Sequence, residues 1–154
     1  DSIFRYVEFP ERVNYVGRLD KDSTGLLLLT NDGDLANEIQ RSRNNHEKEY
    51  HVRVNTDITE DFIKKMSEGV EILDTVTKPC KVKKTGTRNF SIILTQGLNR
   101  QIRRMCDALH VRVVHLKRVR IMNVRLGNLR PGEYRTLTRQ EEQELRRLVE
   151  KDSL

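Results

Sequence analysis

Two hydrophobic rhythms run through this chain. The first has a period of two. In Tyr50-His51-Val52-Arg53-Val54, apolar and polar residues alternate as they do in a strand with one buried face. Phe90, Ile92 and Leu94 repeat the pattern, with Ile93 on the other side. These runs predict strands over 49–55 and 89–95, and Lys84-Thr85-Gly86-Thr87-Arg88 supplies a hairpin connection into the second. Further strand-like stretches cover 15–19, 26–30, 77–84, 113–124 and 134–136. The run Leu26-Leu27-Leu28-Leu29 is continuous rather than alternating, so it predicts a strand buried on both faces, closed by the turn Asn31-Asp32-Gly33.

The second rhythm is helical. Leu35 and Ile39 stand four apart in a predicted helix over 34–41. Thr59 can cap a helix over 60–68 that turns Phe62, Ile63 and Met66 inward and stops at Gly69. Asn99 could cap a helix through Leu109, whose Ile102, Met105, Cys106 and Leu109 make one apolar stripe. Thr138 followed by Glu141 is a capping-box spacing, opening a last helix with Leu145 and Val149 in register. Strands in runs, with helices interspersed irregularly, predict an α+β fold built on a mixed, mostly antiparallel sheet flanked by helices. Low-complexity linkers and internal repeats are absent, so 154 residues read as one domain able to bury a core.

Charge sharpens the picture. Residues 1–40 carry 4 basic and 8 acidic residues, whereas residues 98–135 carry 10 basic and 2 acidic, within a net charge of +6. Like charges at that density repel one another, and a polyanion relieves the repulsion. Cys80 and Cys106 lack a Cys-x-x-Cys spacing, and the four histidines lack metal-ligand spacing, which favours a reduced, metal-free, cytoplasmic protein. The chain holds no apolar run of the roughly 20 residues that a membrane helix needs.

The candidate chemistry sits just before the leucine run, in Gly17-Arg18-Leu19-Asp20-Lys21-Asp22-Ser23-Thr24-Gly25. Asp20 stands at the mouth of a rigid element, a usual mounting for a catalytic carboxylate. On spacing alone Asp20 and Asp22 serve equally well as turn formers. Asp20, Asp22, Thr24 and Gly25 also match the opening of a calcium loop, but Asn31 then stands where a bidentate Glu is required. A glycosidase pair of Asp20 and Asp22 is disfavoured because residues two apart in a turn rarely flank a substrate.

Three motifs in order, Gly-Arg-Leu-Asp with Thr24-Gly25-Leu26-Leu27-Leu28-Leu29-Thr30, Glu47-Lys48-Glu49-Tyr50-His51-Val52, and Gln96-Gly97-Leu98-Asn99-Arg100-Gln101-Ile102-Arg103-Arg104-Met105, resemble the bacterial ribosomal RNA pseudouridine synthases. The resemblance is to the small-subunit-type branch, and within it to members acting on 23S rRNA. It implies the pseudouridine synthase fold with a basic active-site cleft, no cofactor, and no metal. It further implies a ribosomal RNA stem-loop as partner, free or within a ribosome assembly intermediate, with the protein acting as a monomer. That family's fold begins with a strand carrying Lys-Pro, and many members place a small RNA-binding domain before it. Neither is recognisable here, so the chain is expected to be the catalytic domain without those parts.

The resemblance assigns Asp20 as the essential aspartate, nucleophile or base, with Arg103 as its basic partner. Tyr50 would be the ring that stacks on a flipped base. Arg18 would enter the gap left in the RNA. Arg100, Arg103 and Arg104 compete for the basic role on spacing alone, Arg100 and Arg103 sharing a helix face at i and i+3. Lys117, Arg118 and Arg120, with Arg125 close by, are expected among the phosphate contacts, Arg118 and Arg120 sharing a strand face. Ile102 fits either a pocket wall or ordinary core. The rival from another class is a non-catalytic RNA-binding module, for which a carboxylate facing a polyanion would have no use.

Overall fold

The computed structural model describes residues 13–40 and 46–153. Its centre is a six-stranded sheet with β4 (Lys48–Val54) in the middle. On one side β4 pairs antiparallel with β8 (Asn89–Leu94), which pairs antiparallel with β7 (Lys81–Gly86). On the other side it pairs antiparallel with β9 (Val113–Ile121). Beyond β9 lie β10 (Val124–Arg125), antiparallel, and β2 (Thr24–Gly25), parallel. The α+β class, the period-two strands and the Lys84–Arg88 hairpin follow the sequence pattern.

One face of this sheet is core. Val52, Val54, Phe90, Ile92, Leu94 and Leu116 pack under α2 (Glu60–Glu68) and α3 (Gln101–Ala108). Phe62 of α2 meets Phe90 edge to face, ring centroids 5.5 Å apart. Thr59 caps α2 as its spacing predicts, accepting from the Phe62 N–H at 3.1 Å, and Gly69 ends it. A second cluster gathers Val16, Leu26, Leu28, Ile39, Ile121 and Val124 beneath α1 (Gly33–Gln40) and α4 (Arg139–Ser153). The capping box of α4 forms in both directions, Glu141 N–H to Thr138 Oγ1 at 3.1 Å and Thr138 N–H to Glu141 Oε1 at 2.9 Å.

Several expectations are corrected, each for a non-local reason. The leucine run is not one strand. Its start pairs with β9, whereas β3 (Leu28–Thr30) crosses over to pair with β1 (Asn14–Val16). Only Leu26 and Leu28 are fully buried. The segment 113–124 is a hairpin, turning at Met122 with φ 53°. Residues 77–80 stay out of β7 because Thr77 is buried and bonds Val70, its Oγ1 accepting the Val70 N–H at 2.9 Å. An unpredicted hairpin joins β5 (Glu71–Ile72) to β6 (Thr75–Val76) through Leu73 and Asp74, both left-handed, a turn without the usual Asn-Gly signal. Residues 134–136 form no strand. Helix α3 starts at Gln101, and Arg100 rather than Asn99 takes the cap position with φ 49°. Arg41, the expected end of the first helix, lies outside the described residues.

Candidate active site

The site is assembled where β2 meets β9. Gly25 has φ 113°, and a Cβ there would lie 2.1 Å from the Arg118 carbonyl oxygen. Only glycine allows so close an approach, and it holds the loop 17–25 hard against β9. The Leu26 N–H then donates to the Arg118 carbonyl at 2.8 Å, and Asp20 begins a turn in which its carbonyl accepts from the Ser23 N–H at 3.0 Å. Asp20 itself is exposed at the rim.

Arg118 is the floor of the site, not a surface phosphate contact. Its side chain is 3% exposed, with Nε donating to the Leu26 carbonyl at 2.9 Å and Nη2 to the Gly17 carbonyl at 2.6 Å. Burial pulls the guanidinium pKa below its ordinary value, against the opposing effects of a Tyr50 hydrogen bond and the Asp20 charge. Tyr50 stands directly across the β4–β9 ladder from Arg118. Asp20, Tyr50 and Arg118 therefore converge. Lys48, two residues before Tyr50 on the same β4 face, is a neighbour that motif reasoning did not single out. Burial first, and then the Arg118 charge, push its ammonium pKa down.

A bulge next to this pair overturns an expectation about direction. The β4–β9 register shifts between Glu49 and Tyr50, so Tyr50 faces Arg118 while Glu49 faces Arg120. One extra residue, Val119, turns Arg118 and Arg120 to opposite faces. Arg120 is consumed on its face by Glu49 Oε1 at 3.0 Å, Glu47 Oε1 at 3.2 Å and the Met122 carbonyl at 2.6 Å.

The other arginines come from the start of α3. Arg100 grips Asp22 bidentately, Nη1 to Oδ1 at 3.0 Å and Nη2 to Oδ2 at 2.9 Å. Arg103 donates from Nη2 to the Asp22 carbonyl at 2.7 Å, with Nε 3.4 Å from the Asp22 carboxylate. The Arg100 hydrogen bond foremost holds the Asp22 carboxyl down at about 2, below its usual 3.8. The expected partner of Arg103 was Asp20; in the structure it is Asp22, because the turn points its second aspartate at α3. Arg104 folds back onto Asn99, bonding its carbonyl at 3.0 Å and its side-chain oxygen at 2.9 Å. Ile102 belongs to the core. Arg18 is exposed beside the loop, Lys117 is half-buried on β9, and Arg125 is exposed.

The arrangement offers an exposed carboxylate, an aromatic ring beside a buried cation, and a flank of arginines, which suits an anionic ligand bearing a planar base. A thiol nucleophile does not fit, since burial raises Cys80 to about 11 and Cys106 to about 12. Among the described residues no cluster of three His, Cys, Asp or Glu could hold a metal, and no helix is long and apolar enough to cross a membrane.

Comparison with known proteins agrees with this geometry. The sequence model of the family described as RNA pseudouridylate synthase matches residues 4–108. The chain is 55% identical over 153 residues to the dual-specificity RNA pseudouridine synthase RluF of Escherichia coli (strain K12), covering 99% of this chain and 53% of that protein. It is 34% identical to the ribosomal large subunit pseudouridine synthase B of Bacillus subtilis (strain 168), covering 94% of this chain and 62% of the relative. The chain thus spans about half the length of the first of these relatives. A solved structure described as a pseudouridylate synthase superposes with a TM-score of 0.88 at 34% identity, over 94% of this chain and 65% of that one. On sequence and fold together, the chain belongs to the RNA pseudouridylate synthase family.

Proposed function

We propose that this chain carries the catalytic centre of an enzyme that isomerises a uridine of ribosomal RNA, with 23S rRNA as the target, to pseudouridine. The observation that carries the reading is the convergence of Asp20, Tyr50 and Arg118 from three distant segments onto one rim of the sheet. The reaction breaks the bond between base and sugar and rejoins the base through carbon. A stacked base cannot be reached, so the nucleotide must be flipped out. Tyr50 offers a ring on which the base stacks, an interaction worth about 1–3 kcal/mol. Arg118 bonds the loop carbonyls and stands across the ladder from that tyrosine, so it keeps ring and loop in a fixed relation. Asp20, exposed at the rim and next to two arginine charges, stands ready as the nucleophile or base. Arg103 and Arg100, tied to Asp22, keep the loop closed on α3.

The same reading takes a stem-loop of the RNA as the element bound, a monomer as the working unit, and the cytoplasm as its place. A carboxylate at the rim favours an enzyme over a pure binding module, which would gain nothing from negative charge facing RNA. The test is tritium release from 5-tritiated 23S, 16S and transfer RNA transcripts by the full-length protein, compared with its Asp20→Asn variant. Release from the 23S transcript by the wild type alone, with RNA affinity kept in the variant, is expected. Isomerisation retained in Asp20→Asn would remove the aspartate from the chemistry.

A further inference from the structure

The six-stranded sheet has one face in the core and one face open. Val52 and Val54 of β4 point inward, so Glu49, His51 and Arg53 point outward. The strand register extends that outward set into rows. Lys83, Ser91, His51 and Lys117 stand side by side across four strands, and Asn89, Arg53 and His115 form the next row. A third row runs Lys81, Ile93, Glu49, Arg120. Its one carboxylate, Glu49, is taken by Arg120 at 3.0 Å. Among the described residues, Lys81, Lys83, Arg53 and Lys117 carry no ion pair.

We propose that this open face is a second RNA-contacting surface, which grips phosphates of the substrate RNA on the side of the sheet opposite to Tyr50. The inference rests on the RNA substrate proposed above. A sheet face that is merely solvated gains from opposite charges across strands, and like charges facing each other are destabilising. Here Lys81, Lys83, Arg53 and Lys117 face no carboxylate across their strand pairs, so four like charges gather on one face without that gain. A polyanion turns that cost into affinity. At the usual strand spacing, Lys83 to Lys117 covers roughly 14 Å, room for several phosphates. The rows hold no Phe, Tyr or Trp and four unpaired cations, so the contact is chiefly to the phosphate backbone. A protein partner fits less well, because the rows hold a single large apolar residue, Ile93, and no Tyr or Trp to anchor such an interface. The face is also continuous with the site: Thr24 Oγ1 of β2 meets His115 Nε2 at 3.3 Å around the sheet edge.

RNA that fills the site alone does not reach this face, so extended RNA should feel it and a short hairpin should not. The experiment uses the full-length protein and a variant combining Lys81→Gln, Lys83→Gln, Arg53→Gln and Lys117→Gln. Binding to a 23S rRNA transcript and to a short hairpin of it is measured across a salt series. For the transcript, the slope of log Kd against log salt should fall by about 3 and affinity by about tenfold or more. In a variant with Lys117 kept and only Lys81→Gln, Lys83→Gln and Arg53→Gln, hairpin binding and the single-turnover rate of bound RNA should not change. Replacing the three lysines by arginine, with Arg53 kept, should restore the slope. A single Lys83→Glu, which disturbs the fold least, should lower the slope in the same direction. A transcript slope equal to that of the wild type in both the combined variant and Lys83→Glu overturns the proposal. Wild-type protein that binds the transcript but never isomerises it would instead sink the proposed activity, because the slope is read without turnover.

Discussion

Gly25→Ala should be the most damaging single methyl group that can be added to this chain. The added Cβ would lie 2.1 Å from the Arg118 oxygen, 2.5 Å from its nitrogen and 2.9 Å from its carbonyl carbon. All three are backbone atoms of β9, so no side chain can swing aside. Overpacking of this kind costs about 1–3 kcal/mol. Holding alanine at φ 113° adds a further cost of about 1–3 kcal/mol. The smaller freedom of the unfolded alanine chain returns roughly 0.4–1 kcal/mol. The net expectation is a loss of about 2–5 kcal/mol, a large share of the roughly 5–15 kcal/mol that holds a domain together. Gly17→Ala is the built-in control. Its φ of 68° is also left-handed, but the nearest atom to its Cβ is Arg118 Nη1 at 3.6 Å, an ordinary contact. That variant should lose only about 1–2 kcal/mol. Urea unfolding of both variants measures the difference. Turnover of Gly25→Ala, assayed where it is still folded, should fall as well, since the clash parts β2 from β9 and carries Asp20 with it. A Gly25→Ala protein as stable as Gly17→Ala would refute the close approach on which the site is built.

Two further outcomes follow from the site. Tyr50→Phe should keep the stacking ring and RNA binding, whereas Tyr50→Ala should lose turnover; equal rates for Tyr50→Ala and wild type would take the ring out of the site. The Asp22 carboxyl, held at about 2 against an ordinary 3.8, is depressed by folding, so its contribution is present above pH 3.8 and lost as pH falls through 2. Glu141, also held at about 2, behaves likewise at the start of α4. Unfolding measured from pH 5 to 2 should therefore be less steep in Asp22→Asn than in wild type, with the Glu141 part remaining; parallel curves would show that the Arg100–Asp22 contact carries no stability.

Where a rule needs only a few neighbouring residues, the sequence was a good guide. The alternation of Tyr50, Val52 and Val54, the Thr59 cap and the Thr138–Glu141 box are local, and each formed as its spacing predicts. Asp20 and Tyr50, from two of the motifs, both lie near Arg118. Three things were not legible. The leucine run divides between two sheets because its partners, β9 and β1, lie far apart in the chain. The turn at Leu73 and Asp74 carries no residue that advertises a left-handed backbone. Arg103 found Asp22 rather than Asp20 because the choice depends on how the 17–25 loop is aimed at α3.

Arg118 shows the division most plainly. Its presence in a long basic strand was evident from the sequence, and so was the positive charge of that region. It shares the core face of Leu116, while a bulge at Val119 sends Arg120 to the other face, and its two carbonyl partners at Gly17 and Leu26 come from about a hundred residues away. Periodicity along a strand says that neighbours alternate, but not where pairing with another strand interrupts the alternation. Sequence alone therefore determined the elements whose signals are local and the residue types they carry. Tertiary pairing decided which of the arginines became the floor of a site and which faces of the sheet were left open, because those depend on contacts between segments that no local pattern connects.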